Sequence, residues 1–282
     1  MIQQDARWWR ELGVQIEGLL PAGADVTAPP AAKVLPQRQV PPAPAGIRNE
    51  AQRRGPSLPP VSRVAPQRPL APEPATPTDS ARAGRIAGLA WAQLPEAIAA
   101  CTACSLCRHR QHSVPGAGGA AAPWLFVADG PDAGDDATGA VLGGSAGALF
   151  DNMLVALGLA RGDQVFITQA LKCRLPEDRQ PDGGQVAACL PFLERQIALL
   201  QPAVIVALGK TAAQALLGSN FNVRSLRGRA HNRDGLPVVV TFHPAFLLDN
   251  PAEKARSWED LCLARSLVQA AGARGSQPHA AV

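Results

Sequence analysis

The chain of 282 residues carries 27 prolines, six cysteines and a formal net charge of +4. It has no run of 18 apolar residues, which excludes a transmembrane helix, and its N-terminus lacks the basic-then-apolar pattern of a secretory signal. The expectation is a cytoplasmic protein with no membrane association, whose cysteines serve as metal ligands or plain thiols rather than disulfides. The charge is uneven: residues 20–85 hold nine Lys/Arg against four Asp/Glu, and residues 99–270 hold fifteen of each.

Residues 1–20 read as a short amphipathic helix. Asp5 is a fair N-cap, and Trp8, Trp9, Leu12, Ile16 and Leu19 fall near one face. Such a helix could dock a protein partner or fold back on the main domain. Between Pro29 and Pro77 lie 14 of the 27 prolines, among Ala, Arg and Gln. This composition buries too little apolar surface to offset chain entropy, so residues 21–85 are expected to form a disordered linker of polyproline II character. Its arginines either hold phosphate backbones without reading sequence or keep the linker soluble. Residues 86–270 have the size of one domain, and residues 271–282 form a tail.

From Trp124 onward, strands and helices alternate. Strands are expected at 124–127, 165–168, 203–208 and 237–241. Helices are expected at 145–159, at 185–200, from Thr211, and at 253–268. This alternation implies a parallel sheet covered on both faces. The fold class is α/β, a three-layer α/β/α sandwich around a central, mainly parallel four-stranded sheet. In such sheets ligands sit beyond the carboxyl ends of the strands, so chemistry should lie at 128–132, 169–174, 209–210 and 242–248.

Cys101 and Cys104 form a Cys-x-x-Cys pair, and Cys173 and Cys189 form a wider one. Four thiolates suit either a [4Fe–4S] cluster or a zinc ion, and their spacing does not separate the two. Cys107 extends the first pair as an alternative ligand. Cys262 falls inside the last helix and reads as a buried thiol.

The order of motifs from Cys101 to about Leu267 resembles the family 4 (iron–sulfur) uracil-DNA glycosylases. The pieces are Cys101-Thr-Ala-Cys104; Val127-Ala-Asp-Gly-Pro-Asp132; Thr138-Gly139 followed by Gly144-Ser-Ala-Gly147; Lys172-Cys-Arg174; Arg179-Gln-Pro181; Cys189; Leu226-Arg-Gly228; and His243-Pro-Ala-Phe-Leu-Leu248. No single piece is strong, but the collinear set is specific. The resemblance implies a monomeric base-excision enzyme that binds DNA and hydrolyses the N-glycosidic bond of uracil. It implies a [4Fe–4S] cluster on Cys101, Cys104, Cys173 and Cys189.

It also assigns roles. His243 is the catalytic donor to the departing base, with Asp129 as the acidic residue of the first motif. Gly130, Asp132, Leu142 and Gln169 line the uracil pocket. By their own positions, Leu247 or Leu248 reads either as a wedge for the gap left by the flipped base or as core packing, and Arg224, Arg227, Arg229 and Arg233, within ten residues, read as phosphate contacts or as a solvated loop. The chain departs from the family at Asp129 (usually Glu), Asp132 (Gly), Leu142 (Phe), Gln169 (Asn) and Asp249 (commonly Arg). These departures admit two rivals: a catalytically weakened DNA-binding paralogue, and a glycosylase for another deaminated base.

Overall fold

The computed structural model describes residues 77–176, 179–218 and 222–275. The N-terminal helix with its protein partner, most of the linker, and the end of the tail lie outside the described residues.

The sheet has six strands: β1 (Ala117–Gly118), β2 (Trp124–Ala128), β3 (Val165–Gln169), β4 (Val204–Leu208), β5 (Ala230–Arg233) and β6 (Leu236–Thr241), in the order β1-β3-β2-β4-β6-β5. The four expected strands form its parallel centre. Every residue of β2, β3 and β4 is buried, as strands covered on both faces must be. The sequence reading missed the two antiparallel edge strands, β1 and β5. One is two residues long and the other is Ala-His-Asn-Arg, so neither carries an apolar run.

The helices are α1 (Pro77–Ala87), α2 (Leu94–Ala99), α3 (Ala133–Thr138), α4 (Gly144–Leu157), α5 (Gly183–Leu200), α6 (Lys210–Leu217), α7 (Val223–Leu226), α8 (Pro244–Asp249) and α9 (Lys254–Gly275). Among the described residues no helix is long and apolar enough to cross a membrane. One set, α4, α8 and α9, packs together with α9 against β4 and β6; another joins α5 to α1 and α6.

Helix α1 corrects the expected linker boundary, because residues 77–85 are helical rather than extended. The reason is tertiary. The Arg82 guanidinium lies 5.2 Å from the Phe192 ring centroid and donates to the Ala188 carbonyl at 2.9 Å. Ile86 is buried with Leu94, Ile98 and Phe192 in a small second core. Burial of Ile86 against these three residues and a stacked cation outweigh a composition that reads as linker.

Parallel register brings the chemistry to one level. Ala128 is paired with both Gln169 and Leu208, and Leu208 with Thr241. The chain therefore leaves all four central strands at the same height, immediately before Asp129, Ala170, Gly209 and Phe242–His243.

Candidate active site and cysteine pocket

His243 caps α8. Its Nδ1 accepts the Ala245 N–H at 3.2 Å, which places the proton of a neutral ring on Nε2. That Nε2 is buried and has no partner among the described residues. Burial holds the imidazole below its ordinary range, against the opposing pull of Asp129, Asp135 and Asp132. The ring is thus kept neutral, with a buried N–H donor that no acceptor among the described residues meets.

Gln169 ends β3 and is fully buried. Its Nε2 donates to Asp135 Oδ2 at 2.8 Å, and its Oε1 is buried without a partner among the described residues. Buried polar atoms are nearly always paired. Among the described residues Gln169 Oε1 and His243 Nε2 are the two buried side-chain atoms without a partner, an acceptor and a donor that both lie near Asp135.

Asp135 was not singled out by the sequence reading. It lies in α3, is 2% exposed, and accepts from three donors: Gly143 N at 2.7 Å, Leu142 N at 3.2 Å and the Gln169 amide. Asp132 caps α3 by accepting the Asp135 N–H on Oδ1 at 2.8 Å, and the residue is exposed. The turn that follows is held by Arg161, which donates to the carbonyls of Val141 and Leu142 at 2.8 and 2.7 Å. Leu142 has a φ of 49° and is buried. The turn packs so tightly on α4 that a Cβ on Gly147 would stand 2.0 Å from the Leu142 carbonyl oxygen.

Asp129 follows β2. Its Oδ1 accepts the Ala212 N–H at 2.9 Å, and the amides of Thr211 and Lys210 also face it at the start of α6, where a helix N-terminus favours an anion. Burial nevertheless pushes its pKa up, opposed by His243 and these amides. Gly209 makes room for it: φ there is 107°, and a Cβ would lie 2.3 Å from Asp129 Oδ2. Gly130, next in the chain, is half-buried against Leu171.

Several expected DNA contacts are placed otherwise. Leu247 is 1% exposed and belongs to the core, whereas Leu248 is 40% and Phe246 36% exposed. Neighbours on a helix point in different directions, and it is Leu247 that faces inward. Arg227 is also a correction: it donates to Asp260 at 3.0 Å, to Glu259 and to the Arg256 carbonyl, with its side chain 14% exposed. Arg233 is spent on the Ala215 and Leu216 carbonyls and on Glu194. Arg224 pairs with Glu253 at 2.8 Å but keeps 59% of its side chain exposed, and Arg229 is exposed.

A separate pocket is lined by Cys101, Cys104, Cys107, Cys173 and Cys189, with Arg110 and Lys172. Arg110 donates to Cys173 Sγ at 3.0 Å, and Arg82 to Cys101 Sγ at 3.3 Å. Burial pushes the Cys189 thiol up to about 11 and the Cys173 thiol upward too. Among the described residues no three His, Cys, Asp or Glu side chains converge tightly enough to hold a single ion. Lys172, adjacent to Cys173, is buried and donates to Thr168 Oγ1, Gln169 O and Gln196 Oε1 at 2.6–2.9 Å. Desolvation lowers its pKa to about 7. It links the cysteine loop to the end of β3. Cys262 is half-buried in α9, away from this pocket.

Comparison with known proteins gives the family of the chain. The model of the uracil DNA glycosylase superfamily matches residues 115–262. The type-4 uracil-DNA glycosylase of Sulfurisphaera tokodaii is 35% identical over 185 residues, covering 62% of this chain and 84% of that protein. The chain belongs to the type-4 uracil-DNA glycosylase family. The type-4 enzyme of Pyrobaculum aerophilum is 36% identical, covering 61% and 91% of the two chains. That of Thermotoga maritima is 37% identical, covering 63% and 94%.

Proposed function

We propose that this protein removes uracil from DNA by hydrolysing the N-glycosidic bond, with Gln169 reading the base and His243 stabilising it as it departs. The pair of unpaired buried atoms, Gln169 Oε1 and His243 Nε2, carries this reading. Uracil has an N–H at N3, which requires an acceptor. It has oxygens at O2 and O4, and negative charge collects on O2 as the bond to the sugar breaks. Gln169 Oε1 takes the N3–H. His243 Nε2–H donates to O2, where a donor shielded from water contributes most to the transition state. A neutral His suffices, because its tautomer is fixed by Ala245. The base must first leave the stack. Leu248, exposed beside His243, is the wedge, and Arg224 and Arg229 are the phosphate contacts. Asp129, bound to the start of α6 and coupled to His243, supplies negative field on the side where the sugar becomes positive.

The cysteine pocket fits a [4Fe–4S] cluster held by Cys101, Cys104, Cys173 and Cys189. A zinc ion needs all its sulfurs about 2.3 Å from one point, whereas among the described residues no three of the side chains that line this pocket converge in that way. Two guanidiniums already face the sulfurs, suiting the net negative charge of a thiolate-ligated cluster. When bound, the cluster cross-links α2, the 171–174 loop and α5. No step of the excision runs through it.

Pocket divergence is tested at Gln169. Gln169→Asn draws the amide back by about 1.5 Å, one carbon–carbon bond, and away from Asp135. Both the anchor and the contact to N3–H weaken, so kcat/KM for uracil should fall by about 1–3 kcal/mol of transition-state stabilisation. Single-turnover excision from a uracil-containing oligonucleotide measures it. A rise in the Asn variant would mean that the pocket is built for the shorter amide.

A further inference from the structure

We propose that Asp135 is the positioning residue that sets base choice at this site, by locking the Gln169 amide with its oxygen toward the base. The inference rests on the reading of Gln169 given above and adds the group that fixes its orientation.

A primary amide is nearly symmetric in shape, so shape alone does not decide which end faces the base. Uracil offers a donor at N3 and an acceptor at O4. Cytosine offers the reverse, an acceptor at N3 and an amino group at C4. A Gln169 free to turn would satisfy either base by exchanging its two ends. The structure removes that freedom. The Asp135 carboxylate accepts Gly143 N–H on Oδ1, and Leu142 N–H together with the Gln169 amide on Oδ2. A carboxylate acceptor can face only the NH₂ end of the amide. The oxygen is therefore turned to where it has no protein partner. Against uracil it meets N3–H. Against cytosine it meets a lone pair, and the mismatch leaves two buried acceptors opposed.

Asp135 is itself held in place. Two backbone N–H groups of the 142–143 turn fix its oxygens, and that turn is clamped by Arg161. The lock is thus built on backbone geometry rather than on a mobile side chain.

The Asp135→Asn substitution should reverse the lock. The shorter contact, Gly143 N at 2.7 Å against Leu142 N at 3.2 Å, retains the Asn oxygen at the Oδ1 place. The new NH₂ then stands where Oδ2 was. Gln169 must turn its oxygen to that NH₂ and present its own NH₂ to the base. Single-turnover excision is measured on matched single-stranded oligonucleotides bearing uracil or cytosine, with thermal melting to monitor the fold. The uracil-to-cytosine ratio of kcat/KM should fall by about 100-fold in Asp135→Asn, through lost uracil excision and measurable cytosine excision. Asp135→Glu keeps an acceptor and should hold the ratio near that of the parent even where the rate drops. Should Asp135→Asn not fold, Asp135→Ala frees the amide without reversing it and should lower the ratio by about tenfold. A parent protein active on uracil, with an unchanged ratio in Asp135→Asn or, failing that, in Asp135→Ala, overturns the lock and leaves the reading of Gln169 standing. A parent inactive on uracil overturns that reading and the lock with it.

Discussion

Replacing His243 with alanine should lower the single-turnover rate of uracil release by about 10²- to 10³-fold, the usual cost of deleting one preorganised donor to a developing oxyanion. Affinity for uracil-containing DNA should change little, because the ring's Nδ1 is turned to the backbone and its Nε2 is buried, out of reach of a phosphate. Losing the Nδ1 contact also weakens the cap of α8, so a helix-capping cost of about 1 kcal/mol accompanies the substitution. His243→Asn separates the two effects: an Asn oxygen can still cap the helix, but its shorter reach leaves the base without the donor. Both variants should therefore be slow, and only the alanine form less stable.

The pH profile has a definite sign. Desolvation holds the imidazole below its ordinary value of 6.5, and protonation would also place an N–H on Nδ1 against the Ala245 amide. Excision should stay level as pH falls from about 8 to about 6.5 and decline only below that. A parent rate that already drops between pH 8 and 7, or full activity in His243→Ala, would remove the assignment of His243 as the donor.

The four central strands and the positions that follow them could be located from apolar runs bounded by Gly and Pro, because parallel strands buried on both faces must be continuously apolar. The same logic places Asp129, Gln169 and His243 at one end of the sheet. What the pattern could not carry is whatever depends on a partner distant in sequence. Arg227 reads as a phosphate contact until Asp260 and Glu259 appear beside it. Residues 77–85 read as linker until Arg82 finds Phe192. Asp135 is one of two adjacent acids in a short Gly-Asp-Asp-Ala stretch, and nothing local distinguishes it from a solvated helix start. Its importance comes only from the amide 34 positions away. Leu247 and Leu248 are chemically identical, and the choice between core and wedge depends on how α8 is rotated about its axis.

The cysteine pocket is where loss should be felt by the whole domain. Cys104→Ser should yield protein that contains little iron, lacks the broad absorbance near 400 nm expected of iron–sulfur thiolates, and melts well below the parent, which should carry about four irons per chain. The fold should depend on the group because the four proposed ligands come from three places: the segment after α2, the loop after β3, and α5. A cross-link joining residue 101 to residue 189 restricts a long loop in the unfolded chain, and by analogy with disulfides its loss costs about 2–5 kcal/mol. For a domain of this size that is about 4–20 °C in Tm. The second core of Ile86, Leu94, Ile98 and Phe192 abuts the pocket, since Ile98 and Phe192 line it, so loosening should spread first to α1 and α2. Proteolysis of the metal-depleted protein should accordingly begin N-terminal to Cys101. Cys262→Ser is the control: its thiol lies in α9, outside the pocket, and the variant should retain iron and Tm. One zinc per chain and no iron in anaerobically purified parent protein would overturn the cluster. Unchanged iron in Cys104→Ser would instead mean that the ligand set is wrong, with Cys107, whose side chain lines the same pocket, as the replacement to test next.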